Sequence, residues 1–430
     1  MVIKEAEEIL KKFSSNGSPR WLGELRQKAW RRFNDLGIPT VKEEEWKYTN
    51  LSPVTQHQYL IPSRHLSLKA PDLDDYIHSN EITLVLENGF LNPQWSNIPF
   101  QKNGVSILSL HDVAHSQSDY LKKLFAYFNE LPQATSFVSL NQALHQDGIV
   151  IEVKKNTASP RLIHLIHVIT EKEQALTFPR TLIHLEASSE LTVLETHLCL
   201  NDTSVYFTSP LTEIVLEENS TLHYCKAQKE SLKAFHVGST RVWQERNSHF
   251  DGFSIIGGAS ITRNNLDAVL NGEGATSTLN GLYSLRENQL ADNHTFVDHR
   301  SPQATSNQFY KGILNDSSRA VFNGKILVRP IAQLTNSYQL NKNLLLGPNC
   351  RVDTQPQLEI FADDVKCTHG ATIGQLNEDE VFYFQSRSIS RRDAVKMLSV
   401  GFVEDVLNKI ASENINQKMH KLLAPSFQAF

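Results

Sequence analysis

The chain has 430 residues, 40% of them hydrophobic and 21% charged, with a formal net charge of −5. That length allows two or three domains, or one elongated domain with appendages. The mild acidity argues against a nucleic-acid surface, and with no run of about eighteen apolar residues there is no candidate membrane helix.

The start of the chain, residues 1–8, is acidic and amphipathic, unlike a signal peptide. Leu22, Leu25, Ala29, Phe33 and Leu36 then recur at three- and four-residue steps, which predicts a helix with one apolar stripe. Gly37 and Pro39 stop it. In Glu44-Glu45-Trp46-Lys47-Tyr48-Thr49-Asn50-Leu51 the aromatics read as docking this segment on the body of the protein rather than binding a partner. Residues 1–80 are assigned to an N-terminal helical domain.

From Glu81 the period changes. Residues 82–86 read as a strand closed by Asn88-Gly89. Residues 105–110 form another, and Leu121, Leu124, Phe125 and Phe128 lie on one side of a helix. Residues 81–148 thus make a small α/β linking region. Beyond Ile149, short β-rich runs follow one another with no convincing long helix between them. Turns carry Gly, Asn, Asp and Ser, as in Asn271-Gly272-Glu273-Gly274.

Such a pattern fits a sandwich, barrel, propeller or β-solenoid. Monotonous spacing and alternating runs such as Leu191-Thr192-Val193-Leu194-Glu195-Thr196 favour the solenoid. Asn323, Asn336, Asn341 and Asn343 are candidates to stack at its turns. No strict repeat is present. A solenoid needs covered ends, and the terminal helices are natural covers.

The chain closes on helices. Ser390 is placed to cap one that carries Ala394, Leu398, Phe402, Val406 and Ile410, with Met397 and Gly401 beside the stripe. A second, with Ile415, Met419, Leu422 and Leu423, is expected to end before Pro425. Packing on the chain's own body is favoured over presenting a groove to a partner.

Chemical motifs are sparse. GxxxxGK[ST], GxSxG and HExxH are absent. Cys199, Cys225, Cys350 and Cys367 are widely spread with no CxxC, which points to a reducing compartment, read as the cytoplasm. His164 and His167 fall on opposite faces of one strand, a poor arrangement for one site. His294 and His299, near Asp292 and Asp298, read as structural. Asp353, Glu359, Asp363 and Asp364 are the carboxylates a polysaccharide-cleaving β-helix enzyme would use.

The most informative stretch is Val365-Lys366-Cys367-Thr368-His369-Gly370-Ala371-Thr372-Ile373-Gly374. As a strand it puts Cys367 and His369 on one face, about 7 Å apart at a rise of roughly 3.3 Å per residue. Both can reach one metal ion or small cluster, but two ligands do not complete a tetrahedral site. The others must come from elsewhere, another chain included. The bland alternative is a half-buried thiol beside a hydrogen-bonded histidine.

Phe322-Asn323-Gly324-Lys325-Ile326, Leu344-Leu345-Leu346, Asp353-Thr354-Gln355-Pro356-Gln357-Leu358-Glu359-Ile360 and Ala362 to Thr372 resemble the SufD family of iron–sulfur cluster assembly subunits. So do Phe382-Tyr383-Phe384-Gln385-Ser386-Arg387, residues 44–51, residues 137–143 and residues 274–283. The SufB family, which shares the fold, has a glutamate next to the histidine where this chain has Cys367-Thr368-His369-Gly370. Ser388 stands where the resembled family has glycine.

The resemblance implies a mainly β protein. Its core, residues 149–385, is a right-handed parallel β-helix, flanked by N-terminal helical (α/β) and C-terminal helical domains, the latter at 386–430. It implies a non-catalytic scaffold that pairs with SufB through the β-helix ends. SufC, an ABC-type ATPase, binds the C-terminal helices, with Arg387, Ala394, Leu398, Phe402 and Val406 as candidate contacts. Cys367 and His369 become metal ligands for a transient iron–sulfur cluster shared with SufB, exposed when ATP binding by SufC moves the helical domains. A homodimer in isolation, the stoichiometry, the cluster type and flavin association stay open. So do the alternatives of a β-helix enzyme and a purely structural subunit.

Overall fold

In the computed structural model, residues 10, 19–63, 73, 76–98, 104–129, 131, 135–170, 174–200 and 202–428 are described; the amphipathic start at residues 1–8 lies outside them. The architecture is a β-solenoid of about 7 turns with helices toward both termini. Two long sheets run side by side. One is ten-stranded, starting at Ile82–Glu87 with its hairpin mate Phe90–Leu91 and ending at Lys366–Gln375. The other is eleven-stranded and ends at Arg351–Ile360. Pairing is parallel along the solenoid, and antiparallel only near the start, at Phe90–Leu91 and at Val105–Ser109. Strands Ile82–Glu87 and Val105–Ser109 are hydrogen-bonded into these sheets, so both sheets begin upstream of Ile149.

Alternation decides what faces inward. In strand Glu190–Cys199, Leu191 and Val193 lie in the apolar interior with Tyr224, Phe250, Leu279 and Phe322. Glu195 and His197 share that face and therefore point inward too. The interior is thus apolar along one side and polar along the other. Tyr283 shows how the polar side is satisfied. Its hydroxyl donates to Asn343 Oδ1 at 2.6 Å and accepts from Asn341 Nδ2 at 3.0 Å.

That use of Asn341 and Asn343 corrects the expected turn stack. All four asparagines lie within strands, and Asn341 and Asn343 are there because the buried Tyr283 hydroxyl needs partners. The corner stack is made instead by Asn156, Ser188, Asn219, Asn247, Gly274, Gln303 and Leu334. Their φ angles lie between 52° and 69°. Each donates its N–H to a carbonyl of the following coil at 2.7–3.2 Å. Asparagine recurs because its short amide tolerates the left-handed region.

Helices cover the outer faces. Val113, Leu121, Leu124 and Phe128 pack on Val150, Leu182, Val215, Trp243 and Val269 of the eleven-stranded sheet. The helix Arg20–Leu36 buries Leu22, Ala29 and Phe33, but Leu25 and Leu36 are exposed. Arg26 takes a buried place instead. Its guanidinium donates to Ala143 O at 3.1 Å and His145 O at 2.7 Å, satisfying carbonyls at the C-terminus of helix Ser136–Leu144. Val403, Val406, Leu407, Met419 and Leu423 pack on Cys225, Phe253, Ile255 and Ile313 of the ten-stranded sheet.

Candidate functional site at the uncovered end of the solenoid

Strand Lys366–Gln375 is the last of the ten-stranded sheet, and Arg351–Ile360 is the last of the other. Among the described residues neither has a strand on its outer side. Two ten-residue edges therefore offer unpaired N–H and C=O groups. Ile360, Phe361 and Ile373 are exposed beside them.

Register fixes the pair. Cys367 lies opposite Ser337, and His369 opposite Gln339. Ser337 and Gln339 are buried, inward-facing residues, so Cys367 and His369 stand on top of the interior column, on one face of the strand as the spacing required. Cys367 is half-buried against the apolar interior, while His369 is exposed. The column beneath is polar. Ser337 Oγ lies 2.7 Å from Ser306 Oγ, and Gln339 Nε2 donates to Gln308 Oε1 at 3.2 Å. Gln339 Oε1 is buried without a hydrogen-bond partner.

Burial pushes the Cys367 thiol up, against a smaller lowering by a backbone hydrogen bond at Ser337. The thiol is therefore protonated at neutral pH and must lose its proton to ligate. A thiolate and an imidazole on one face are donors suited to iron–sulfur chemistry and supply half of a four-coordinate set.

Other sequence candidates fall elsewhere. Asp353 is paired with Arg351 at 2.9 Å and Glu359 with Lys325 at 2.8 Å. Their strand mates Val352 and Leu358 pack toward the interior, so the two carboxylates lie on the outer side. Neither is free to act as acid or base in a cleft. Asp292 and His294 hold residues 44–51 on the solenoid. Thr49 Oγ1 donates to Asp292 Oδ2 at 2.5 Å, His294 Nε2 lies 2.9 Å from Asp292 Oδ1, and Trp46 is buried under the Arg263 guanidinium, 3.8 Å from its ring centre. Docking by the aromatics is the outcome. His164 and His167 do face opposite ways: His164 bonds Thr196 Oγ1 at 2.8 Å and faces Lys418 of the last helix.

In helix Arg391–Leu407, Ser390 caps as expected, accepting from Asp393 N at 3.1 Å. Ala394 and Val406 are fully buried in the chain's own packing, and Leu398 and Phe402 are half-buried. The exposed apolar side chains nearby are Met397, Phe382 and Tyr383. Arg387 is exposed, its guanidinium 4.5 Å from the Tyr383 ring centre. Ser388 has φ +61°, the left-handed conformation glycine would adopt freely. The last helix runs Glu413–Gln428, through Pro425 rather than ending before it. So near a helix end, proline's missing N–H removes a single bond with few turns left to disrupt.

Ser337 and Gln339 were not singled out from sequence. The signal was an offset: Gln308, Gln339 and His369 occupy one register position on successive coils.

Comparison with known proteins matches nearly the whole chain. Residues 4–165 match the SufBD protein N-terminal region, and residues 167–402 match the SufBD core domain of the SUF system for FeS cluster assembly. The chain is 30% identical to an iron–sulfur cluster assembly SufBD family protein of Synechocystis, over 93% of this chain and 90% of the relative. It is 30% identical to the iron–sulfur cluster assembly protein SufD of Escherichia coli, over 89% of this chain and 88% of that one. To SufD of Bacillus subtilis it is 24% identical over 96% of both.

Proposed function

The chain belongs to the SufBD family of iron–sulfur cluster assembly proteins, and from that premise we propose that it is a SufD-type, non-catalytic scaffold subunit. It pairs with SufB through the uncovered solenoid end and binds the ATPase SufC through its C-terminal helices. The nascent cluster, which is cargo and not a resident cofactor, is bound between Cys367 and His369 on this side and ligands from SufB on the other.

One observation carries this: two donors of the right chemistry stand together at the unpaired end of both sheets, two short of a complete set. A purely catalytic β-helix is less well supported, because Asp353 and Glu359 are already ion-paired on the outer side. Four cysteines without a disulfide fit the reducing cytoplasm.

A mechanical link supports gating by SufC. Lys311, in the ten-stranded sheet, donates to Phe402 O at 2.6 Å and pairs with Asp405 at 2.5 Å. Helix Arg391–Leu407 is therefore tied to the sheet whose last strand bears the pair. Movement of that helix shifts the interface only if SufC binds the two arrangements with different affinity.

Co-expression with SufB and SufC tests the pairing. Wild-type chain is expected to co-elute with both. Ile373→Asp, which puts a charge on the exposed edge strand, is expected to lose SufB and keep SufC. Undiminished SufB pairing by that variant places the interface elsewhere.

A further inference from the structure

Inside the solenoid, remote from Cys367 in sequence, three buried histidines and two buried glutamates converge. His167, Glu195, His197, Glu230 and His236 are all at most 4% exposed. They come from different coils. His167, in strand Ile163–Ile169, is the register partner of His197 in Glu190–Cys199. Glu230 follows strand Thr221–Lys229, and His236 is the second residue of Phe235–Gln244 in the other sheet.

One donor atom each from His197, Glu230 and His236 lies within 4.8 Å of the others. The contacts between them are close but misdirected. His236 Nδ1 is 2.8 Å from Glu230 Oε2, yet it makes no hydrogen bond. His167 Nε2 is 3.3 Å from Glu195 Oε1 and is also unbonded, as is its Nδ1. Buried imidazole nitrogens without partners are costly. Donor atoms this close with no hydrogen bond joining them leave donor capacity that an ion can use. A small cavity, no larger than one water needs, is lined by His167, His197 and Glu230.

We infer that this interior cluster is a binding site for a divalent first-row transition ion, with His197, Glu230 and His236 as ligands. Ring orientation selects that triad. The His167 and His197 rings are stacked 4.4 Å apart at 7°, so their lone pairs lie in separate, nearly parallel planes and do not meet at one ion. The His197 and His236 rings are 4.9 Å apart at 86°, which lets two lone pairs converge. Two imidazoles and one carboxylate suit zinc, cobalt or ferrous ions and are too few and too nitrogen-rich for calcium or magnesium.

An outer layer supports the triad. His197 Nε2 bonds Glu195 Oε1 at 2.9 Å, leaving the other ring nitrogen for an ion. Glu195 also accepts from Tyr224 OH at 2.5 Å and Thr212 Oγ1 at 3.1 Å, and Glu230 accepts from Gln228 Nε2 at 3.1 Å. Lys226 Nζ lies 3.1 Å from His236 Nε2, so ligation through Nδ1 places the ring proton on Nε2, and Lys226 releases one proton to solvent to accept from it.

The test uses the full chain carrying Cys367→Ala and His369→Ala, which lacks the surface pair. It is expressed in cobalt-supplemented medium and washed with EDTA to strip exposed pairs such as His111 and His115. About one Co2+ per chain is expected to survive the wash, since the three ligands are buried out of reach of the chelator. X-ray absorption of that cobalt should show only nitrogen and oxygen donors, two of them imidazoles. This readout needs no change in the cluster itself. Folded protein without cobalt, or a shell containing sulfur, overturns the assignment. Adding His236→Gln should lower retained cobalt on the order of tenfold or more, and unchanged retention in folded protein also overturns it.

Discussion

Asp292 is where a single charge should hold the N-terminal segment to the solenoid. Its Oδ2 accepts from Thr49 Oγ1 at 2.5 Å and Arg263 Nη1 at 2.9 Å, and its Oδ1 lies 2.9 Å from His294 Nε2. Arg263 in turn donates to Glu45 O at 2.5 Å. Asp292→Asn keeps the shape and removes the charge. Burial alone would raise the Asp292 carboxyl, but the charges of His294 and Arg263 and the bonds from His294 and Thr49 overcome it, holding the group at about 2 against an ordinary 3.8. By linkage that difference contributes about 2 kcal/mol at pH values where the unfolded carboxyl is ionised. Leaving Arg263 buried without its counter-charge raises the cost to about 3–5 kcal/mol.

The pH dependence has two limbs. A depressed carboxyl stabilises fully above 3.8, and that contribution is lost as pH falls toward 2. Burial lowers His294, but Asp292 outweighs it, so the net shift is upward. A raised imidazole stabilises fully below 6.5, and that part is lost as pH rises through its folded value. The clasp is therefore strongest between about pH 4 and 6.5. Urea titration of wild type and Asp292→Asn, followed by tryptophan fluorescence to which the buried Trp46 contributes, should show the largest gap near pH 5. The gap should shrink at pH 3. An unchanged midpoint at pH 5, or a gap independent of pH, refutes the reasoning.

Gly312→Ala would drive its Cβ into the Tyr283 ring of the adjacent coil, at a cost of about 1–3 kcal/mol; an unshifted thermal midpoint would show that the interior can relax. Ser388→Gly relieves a left-handed φ of +61° and should stabilise by about 1 kcal/mol; calorimetry showing a lower melting temperature contradicts this. Phe382→Ala and Met397→Ala remove exposed apolar side chains of the C-terminal helices without touching the buried face. Each should weaken SufC binding on the order of tenfold, about 1.4 kcal/mol, and an unchanged affinity by calorimetric titration removes those helices from the SufC contact.

Much of the fold was legible because alternation is a local signal. Strand Lys366–Gln375 and the shared face of Cys367 and His369 follow from it. The coil period was not legible. Thr276 pairs with Thr305, 29 residues on, while Arg319 pairs with Arg351, 32 on, and His249 with Thr276, 27 on. A drifting interval hides a repeat that backbone pairing keeps in register. Helical stripes were legible to within one face. Ala394, Val406 and Ile410 of the stripe are buried, while Leu398 and Phe402 are half-buried and Ser399, Val403 and Leu407 share the buried face, because the contact with Ile313 and Phe253 is wider than one residue row. Arg26 was missed because the carbonyls it satisfies lie over a hundred residues away. The interior histidines were missed for the same reason, although His197 and His236 each sit at an inward parity position where a hydrophobic residue is expected.

The central claim is that Cys367 and His369 form half of a cluster site completed by SufB. Iron and acid-labile sulfide, measured on the reconstituted complex with SufB and SufC, test it most directly. Cys367→Ala and His369→Ala are expected to leave the complex intact, since neither residue lies deep in the core, and to lower both iron and sulfide. An intact complex with wild-type iron and sulfide in both variants would contradict it.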